Sequence, residues 1–161
     1  MNTAFSCNEM INSYYAVDQP GHPSRQKTIS LVQEELANDG CAVIRNFFSE
    51  EGLNALLGEA QDRIEQTYYS PKKQCNVYLG DGNPELPEDH PQNIFLERTN
   101  GFITADLFDT ESYSYRLYYW EPLKLFLADC LNKKELFIYE DSISNMIVNV
   151  GKNGEKFNWY F

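Results

Sequence analysis

Apolar residues follow two rhythms along this chain, and each predicts its own elements. Between Arg25 and Asn38, Ile29, Val32, Leu36 and Ala37 keep helical spacing, with Ser24 placed to cap the start and Gly40 to stop the end. The β-branched run Cys41-Ala42-Val43-Ile44-Arg45-Asn46-Phe47 then reads as a strand. Ser49 opens a second helix, with Glu50 and Glu51 in its first turn where the helix dipole favours anions. Leu53, Leu56, Leu57, Ala60 and Ile64 make one stripe reaching about Thr67, expected to face a core. From Ser70 to Glu97 the periodicity is lost. Gly80, Gly82, Pro84, Pro87 and Pro91 interrupt this segment, leaving one short strand at Asn76–Leu79. A loop of that length is either functional or loosely ordered. Helices resume over Glu111–Trp120 and again after Glu121-Pro122, where proline suits a first turn.

The last stretch changes rhythm. Leu136–Tyr139 and Ser144–Val150 are strand-like, and the alternation in the second puts Asn145 and Asn149 on one face. Gly151-Lys152-Asn153-Gly154 is a turn signal before a third strand, Glu155–Phe161. At the other end, residues 1–24 are polar, with Pro20, Gly21 and Pro23 as breakers, and read as a flexible arm. Residues 25–161 then form one domain of α+β class. Its C-terminal strands have no later neighbours in the sequence, so either the early strands close the sheet or it continues outside this chain.

Composition narrows the function classes. In 161 residues, 13 Lys plus Arg against 24 Asp plus Glu give a net charge of −11. Nucleic-acid affinity rests on phosphate neutralisation by cations, so that balance argues against it and against a basic membrane-surface patch. With 42% hydrophobic and 14% aromatic residues the chain is too apolar for an acidic disordered segment. No apolar run approaches the ~20 residues of a membrane span, and Met1 to Asp18 has no cationic start or apolar stretch of a leader. Cys7, Cys41, Cys75 and Cys130 are widely spaced, which suits reduced thiols in a cytoplasmic protein, with Cys41 and Cys130 as core fillers.

Residues that could carry chemistry are few. His22 and His90 both sit in breaker-rich loops and read as surface residues, which leaves little support for a histidine metal site or a Ser-His-Asp triad. The phosphate-cradling glycine motifs are absent from the sequence. Glu140 and Asp141 end a strand and are candidates to bind a cationic group of a substrate, such as a cationic amino acid, or form an exposed acidic turn. Asn149 is either structural or lines a pocket. Tyr113, Tyr115, Tyr118, Tyr119 and Trp120 read as core and interface material.

Several segments, taken in order, resemble one family. An amphipathic helix followed by Gly40-Cys41-Ala42-Val43-Ile44-Arg45-Asn46-Phe47-Phe48-Ser49 looks like the opening of iron(II)/2-oxoglutarate-dependent oxygenases of the phytanoyl-CoA-hydroxylase-like kind. Leu96-Glu97-Arg98-Thr99-Asn100-Gly101-Phe102, Tyr119-Trp120-Glu121-Pro122-Leu123 and Asn145–Val150 are similar to the small-molecule branch of amino-acid hydroxylases and halogenases. The resemblance runs from about Ser24 to Phe161 and implies N-terminal helices packed on the first strands of an incomplete double-stranded β-helix, or jelly-roll. It implies iron(II), 2-oxoglutarate and a small-molecule substrate, with Asn149 near the cofactor, Glu140 and Asp141 toward the substrate, and the Ser70–Glu97 loop as a lid. It also places Tyr160, in Asn158-Trp159-Tyr160-Phe161, where the family has its first metal histidine. The remaining ligands of a two-histidine, one-carboxylate site do not follow in this chain.

A tyrosine hydroxyl, with a pKa near 10, supplies no neutral imidazole nitrogen. Three readings stay open from the sequence. One is an inactive N-terminal fragment of an oxygenase. Another is a non-catalytic binding or regulatory relative that pairs its open strand edge with a second copy or a complementing chain. The third is an unrelated α+β domain.

Overall fold

The computed structural model describes residues 5–156. The third expected strand, from 157 onward, and Tyr160 lie outside them. The chain forms two compact units, a helical one of Met1–Asp62 with Ala105–Met146 and a strand unit of Arg63–Thr104 with Ile147–Phe161. Helices and small antiparallel sheets together make the α+β class.

The helical unit holds α1 (Cys7–Met10), α2 (Pro23–Asp39), α3 (Glu50–Asp62), α4 (Tyr113–Tyr118) and α5 (Glu121–Cys130). The helix ends follow local chemistry. Gly40 takes the left-handed conformation at the C-cap of α2, Ser49 Oγ accepts the Gly52 N–H at the start of α3, and a proline sits in the first turn of α5. The N-cap of α2 is His22, whose Nδ1 accepts the Ser24 N–H, two residues earlier than expected. Ser24 Oγ is engaged instead with the Tyr14 carbonyl.

Residues 5–22 are not a loose arm. Ser6 and Glu9 form a reciprocal capping box on α1, and Met10, Ile11, Ala16 and Val17 are buried. Met10, Ile11 and Val17 share a core with Ile29, Val32, Leu117, Phe126 and Cys130. Arg25, only 1% exposed, binds the segment from within: Nε donates to the Val17 carbonyl, a terminal nitrogen meets Asp129 at 2.8 Å, and the guanidinium lies 5.5 Å from the Phe126 ring centroid. Burying a guanidinium is tolerable only with such partners. Few apolar residues do the burying here, which is why a polar composition concealed the role.

Four further expectations fail in this unit, in whole or in part. Cys41–Phe47 is no strand: Asn46 adopts a positive φ of 51° and breaks the extension, and the segment is held by single hydrogen bonds, from the Val43 N–H to Glu35 and from the Asn12 N–H to the Phe47 carbonyl, beside an isolated bridge between Ile11 and Phe48. Cys41 is exposed rather than a core filler, whereas Cys130 is buried as expected. Leu136–Tyr139 makes no ladder, and Phe137 is 84% exposed. The stripe on α3 is turned inward only in part: Leu56 packs against the core, while Leu53 and Leu57 are exposed. The side of α3 that packs is the one at Gly52, where a Cβ would strike the backbone of Met10.

The strand unit is built on a three-stranded antiparallel sheet in the order β1-β4-β5, from Tyr68–Tyr69, Gly101–Thr104 and Ile147–Val150. Phe102 faces Tyr68 on one side and Asn149 on the other. Gly101 is required there, because a side chain would run into Thr67 and the Tyr69 ring. A second ribbon pairs β2 (Gln74–Cys75) with β3 (Leu96–Glu97) and closes the base of the long loop. Asn76–Leu79, expected as a strand, is a turn. Gly154 takes a positive φ of 88° in the expected turn after β5.

Two asparagines order this loop. Asn76, buried, accepts the N–H groups of Tyr78 and Gly80 and donates to the Gln92 carbonyl. Asn93 donates to the carbonyls of Asn83, Leu86 and Pro87 and accepts the Asn83 N–H. Irregular backbone is thereby satisfied by side-chain amides in place of ladder partners.

Candidate functional site

The strand unit carries an open cleft of about 830 Å³ between the sheet, the β2–β3 ribbon and the loop. Its size falls in the range of small-molecule sites. β1 and β4 contribute Tyr68 and Phe102, and the ribbon contributes Cys75 and Glu97. Three cations line it, Lys72 and Lys73 from one end of the loop and Arg98 from the other. The backbone joins these ends, since the Arg98 N–H donates to the Lys73 carbonyl at 2.8 Å.

Two of the cations sit against aromatic rings. Lys73 Nζ lies 5.8 Å from the Tyr69 ring centroid, and the Arg98 guanidinium lies 4.8 Å over the Phe102 ring. Such seats hold a cation by the ring quadrupole. Lys72 approaches Asp81 at 3.5 Å in full solvent, an interaction of little energy. Glu97 is drawn to Lys156. The strand unit has 6 of the 13 basic and 7 of the 24 acidic residues, a net charge of −1 within a chain of −11. A small anion therefore meets far less repulsion here than elsewhere on the molecule.

The expected site residues fall in different places. Asn149 is exposed on β5, where its Oδ1 accepts a long hydrogen bond of 3.4 Å from Asn100 Nδ2. Asn100 lines the cleft, and its own Oδ1 is buried without a partner. Asn149 thus positions a cleft residue. Asn145 does not share its strand, because β5 begins at Ile147.

Glu140 and Asp141 belong to the helical unit and are exposed. Asp141 Oδ1 accepts the N–H groups of Ile143 and Ser144, and these bonds hold its carboxyl below the usual carboxylate range. That is an Asx turn, the acidic-turn alternative. Lys72, Lys73, Arg98 and Asn100 were not singled out as site residues from the sequence. Their signal was there: Pro71-Lys72-Lys73 and Arg98-Thr99-Asn100 bracket the longest unpatterned segment of an acidic chain.

Among the described residues no group of three or more His, Cys, Asp or Glu is arranged to hold a metal ion. His22 and His90 each use Nδ1 to accept a backbone N–H, from Ser24 and Gln92. No described helix is long and apolar enough to cross a membrane. No family model, curated protein or solved structure matches the chain.

Proposed function

We propose that the strand unit binds a small organic acid in the cleft lined by Lys72, Lys73 and Arg98, and that the chain is a binding member of the iron(II)/2-oxoglutarate oxygenase lineage. In this reading the sheet β1-β4-β5 corresponds to the first strands of a jelly-roll, and the residues described here bind the acid without oxidising it. The observation that carries the reading is the grouping of three cations, two seated on aromatic rings, along a cleft of a nearly neutral unit in an acidic chain. A guanidinium beside an ammonium recognises a carboxylate by charge-assisted hydrogen bonds. Asn100 supplies further polar contact at the same wall.

The test is titration of the purified chain with 2-oxoglutarate, succinate and the uncharged dimethyl ester of succinate, followed by amide chemical shifts. The acids are expected to shift residues 72–75 and 97–102, and the ester is not. Arg98→Gln is expected to weaken the acids about tenfold or more, the size of one charge-assisted hydrogen bond. Equal binding of the ester, or no shift with either acid, would overturn the proposal. With iron(II) and ascorbate present, 2-oxoglutarate should not be consumed above a metal-free blank; turnover would refute the non-catalytic part.

A further inference from the structure

The helical unit has a second cavity of about 310 Å³, chemically opposite to the cleft. Tyr119 forms its corner. The ring lies 4.4 Å from Tyr115 and 5.0 Å from Tyr118, the latter edge to face at an interplanar angle of 86°. Phe108 and Met146 add apolar wall, Asp106 supplies the one carboxylate, and no Lys, Arg or His lines the space. Seventeen of the 24 acidic residues fall in this unit against 7 of the 13 basic ones, so the surroundings carry a net charge of −10.

The walls are fixed by hydrogen bonds rather than left loose. The Tyr118 hydroxyl accepts the Tyr139 N–H, and the Tyr119 hydroxyl accepts Asn145 Nδ2 at 3.1 Å. The Asp141 turn holds Asn145 in place, its carbonyl accepting the Asn145 N–H at 3.0 Å, and Ala105 N–H donates to the Ile143 carbonyl. One group is left over. Asn145 Oδ1 is buried and has no hydrogen-bond partner, at a wall of this cavity. A buried acceptor without a donor calls for one, from a ligand or an ordered water.

We propose that this cavity binds a protonated primary amine, with the ammonium against the Tyr118 and Tyr119 rings, one N–H donated to Asn145 Oδ1 and Asp106 as counter-charge. The ring faces favour a cation, the carboxylate sets its sign, and the orphan acceptor selects an ammonium that still carries protons over a quaternary one. The site is independent of the acid-binding cleft, since none of its residues belongs to the strand unit.

Amide shifts and tyrosine fluorescence of the full chain, titrated with n-butylammonium, tetramethylammonium and n-butanol, test this. Butylammonium is expected to shift Tyr119 and Asn145, with butanol and tetramethylammonium each about tenfold weaker. Asp106→Asn, at an exposed position, should weaken the amine about fivefold or more and leave butanol unchanged. Arg98→Gln should leave amine binding intact. Equal affinity for butanol, equal affinity for tetramethylammonium, an unchanged Asp106→Asn variant, or no response to the amine would each overturn the proposal.

Discussion

In the helical unit twelve apolar side chains are buried, from Met10 to Cys130, while among the described residues the strand unit buries Ile103 alone. The strand unit is ordered instead by short ladders and by amides, with Asn76, Asn93 and Asn100 in the places where a core would supply leucines. Charge divides along the same line, −10 against −1. An apolar core tolerates polar change at its surface but not loss of volume or space. An amide-held loop is the reverse, indifferent to volume and dependent on single donors and acceptors. The two units therefore fail by different substitutions, and each offers a pocket of its own sign.

The largest effect is expected where backbone meets backbone in the helical unit. A methyl at Gly52 would meet the carbonyl, Cα and C of Met10, none of which can rotate away. Gly52→Ala should cost about 2–3 kcal/mol, the range for overpacking, read as a lowered denaturant midpoint of the helical signal. Gly58 lies in the same helix with nothing within 4 Å of its would-be Cβ. Gly58→Ala should stabilise by about 0.5–1 kcal/mol through helix propensity. Equal behaviour of the two variants would mean that α1 does not press on α3.

The next effect belongs to the loop. Asn93→Ala removes three donated hydrogen bonds and one accepted bond, leaving the carbonyls of Asn83, Leu86 and Pro87 to solvent. The expected cost is about 1–3 kcal/mol, confined to residues 76–93. Hydrogen exchange there should quicken and protease nicking begin, with the helical circular dichroism unchanged. Undiminished protection of the loop would show that the amides are not what holds it.

These contrasts also explain what could be read from the sequence. Helices α2, α3 and α5 were legible because their ends are set locally, by Gly40, Ser49 and Pro122. Strands were legible only in part, since pairing is a long-range event: Ile147–Val150 falls inside the expected Ser144–Val150, but Cys41–Phe47 and Leu136–Tyr139 have strand composition without forming a ladder, while Gly101–Thr104, not expected, pairs on both sides. The stripe on α3 misled because apolar spacing names a face but not its neighbour. Asn149 was found by its place on a strand, yet its effect on the cleft runs through Asn100, 49 residues away in the chain. Arg98 and Lys73 are brought together only when β2 and β3 pair.

The smallest effect reports the core by titration. Burial pushes the Cys130 thiol up to about 11 from an ordinary 9.0, more than the nearby Arg25 charge lowers it. Because the folded state holds this proton more tightly, stability is unaffected below pH 9.0 and falls as pH rises between the two values. By about pH 10 the loss attributable to this thiol is about 1 kcal/mol. Cys130→Ala, compared with the parent chain by urea denaturation from pH 8 to 10, should flatten the slope by that amount while costing some packing at every pH. Cys75, half-buried in the cleft of the other unit, is the contrast. At neutral pH a maleimide should label Cys75 and leave Cys130 untouched until the chain is unfolded. A carboxylate in the cleft should slow the reaction at Cys75 alone. Labelling of Cys130 in the native chain, or an unchanged alkaline slope after its removal, would mean that the helical core admits water where the structure packs Cys130 beside Phe126 and Val32.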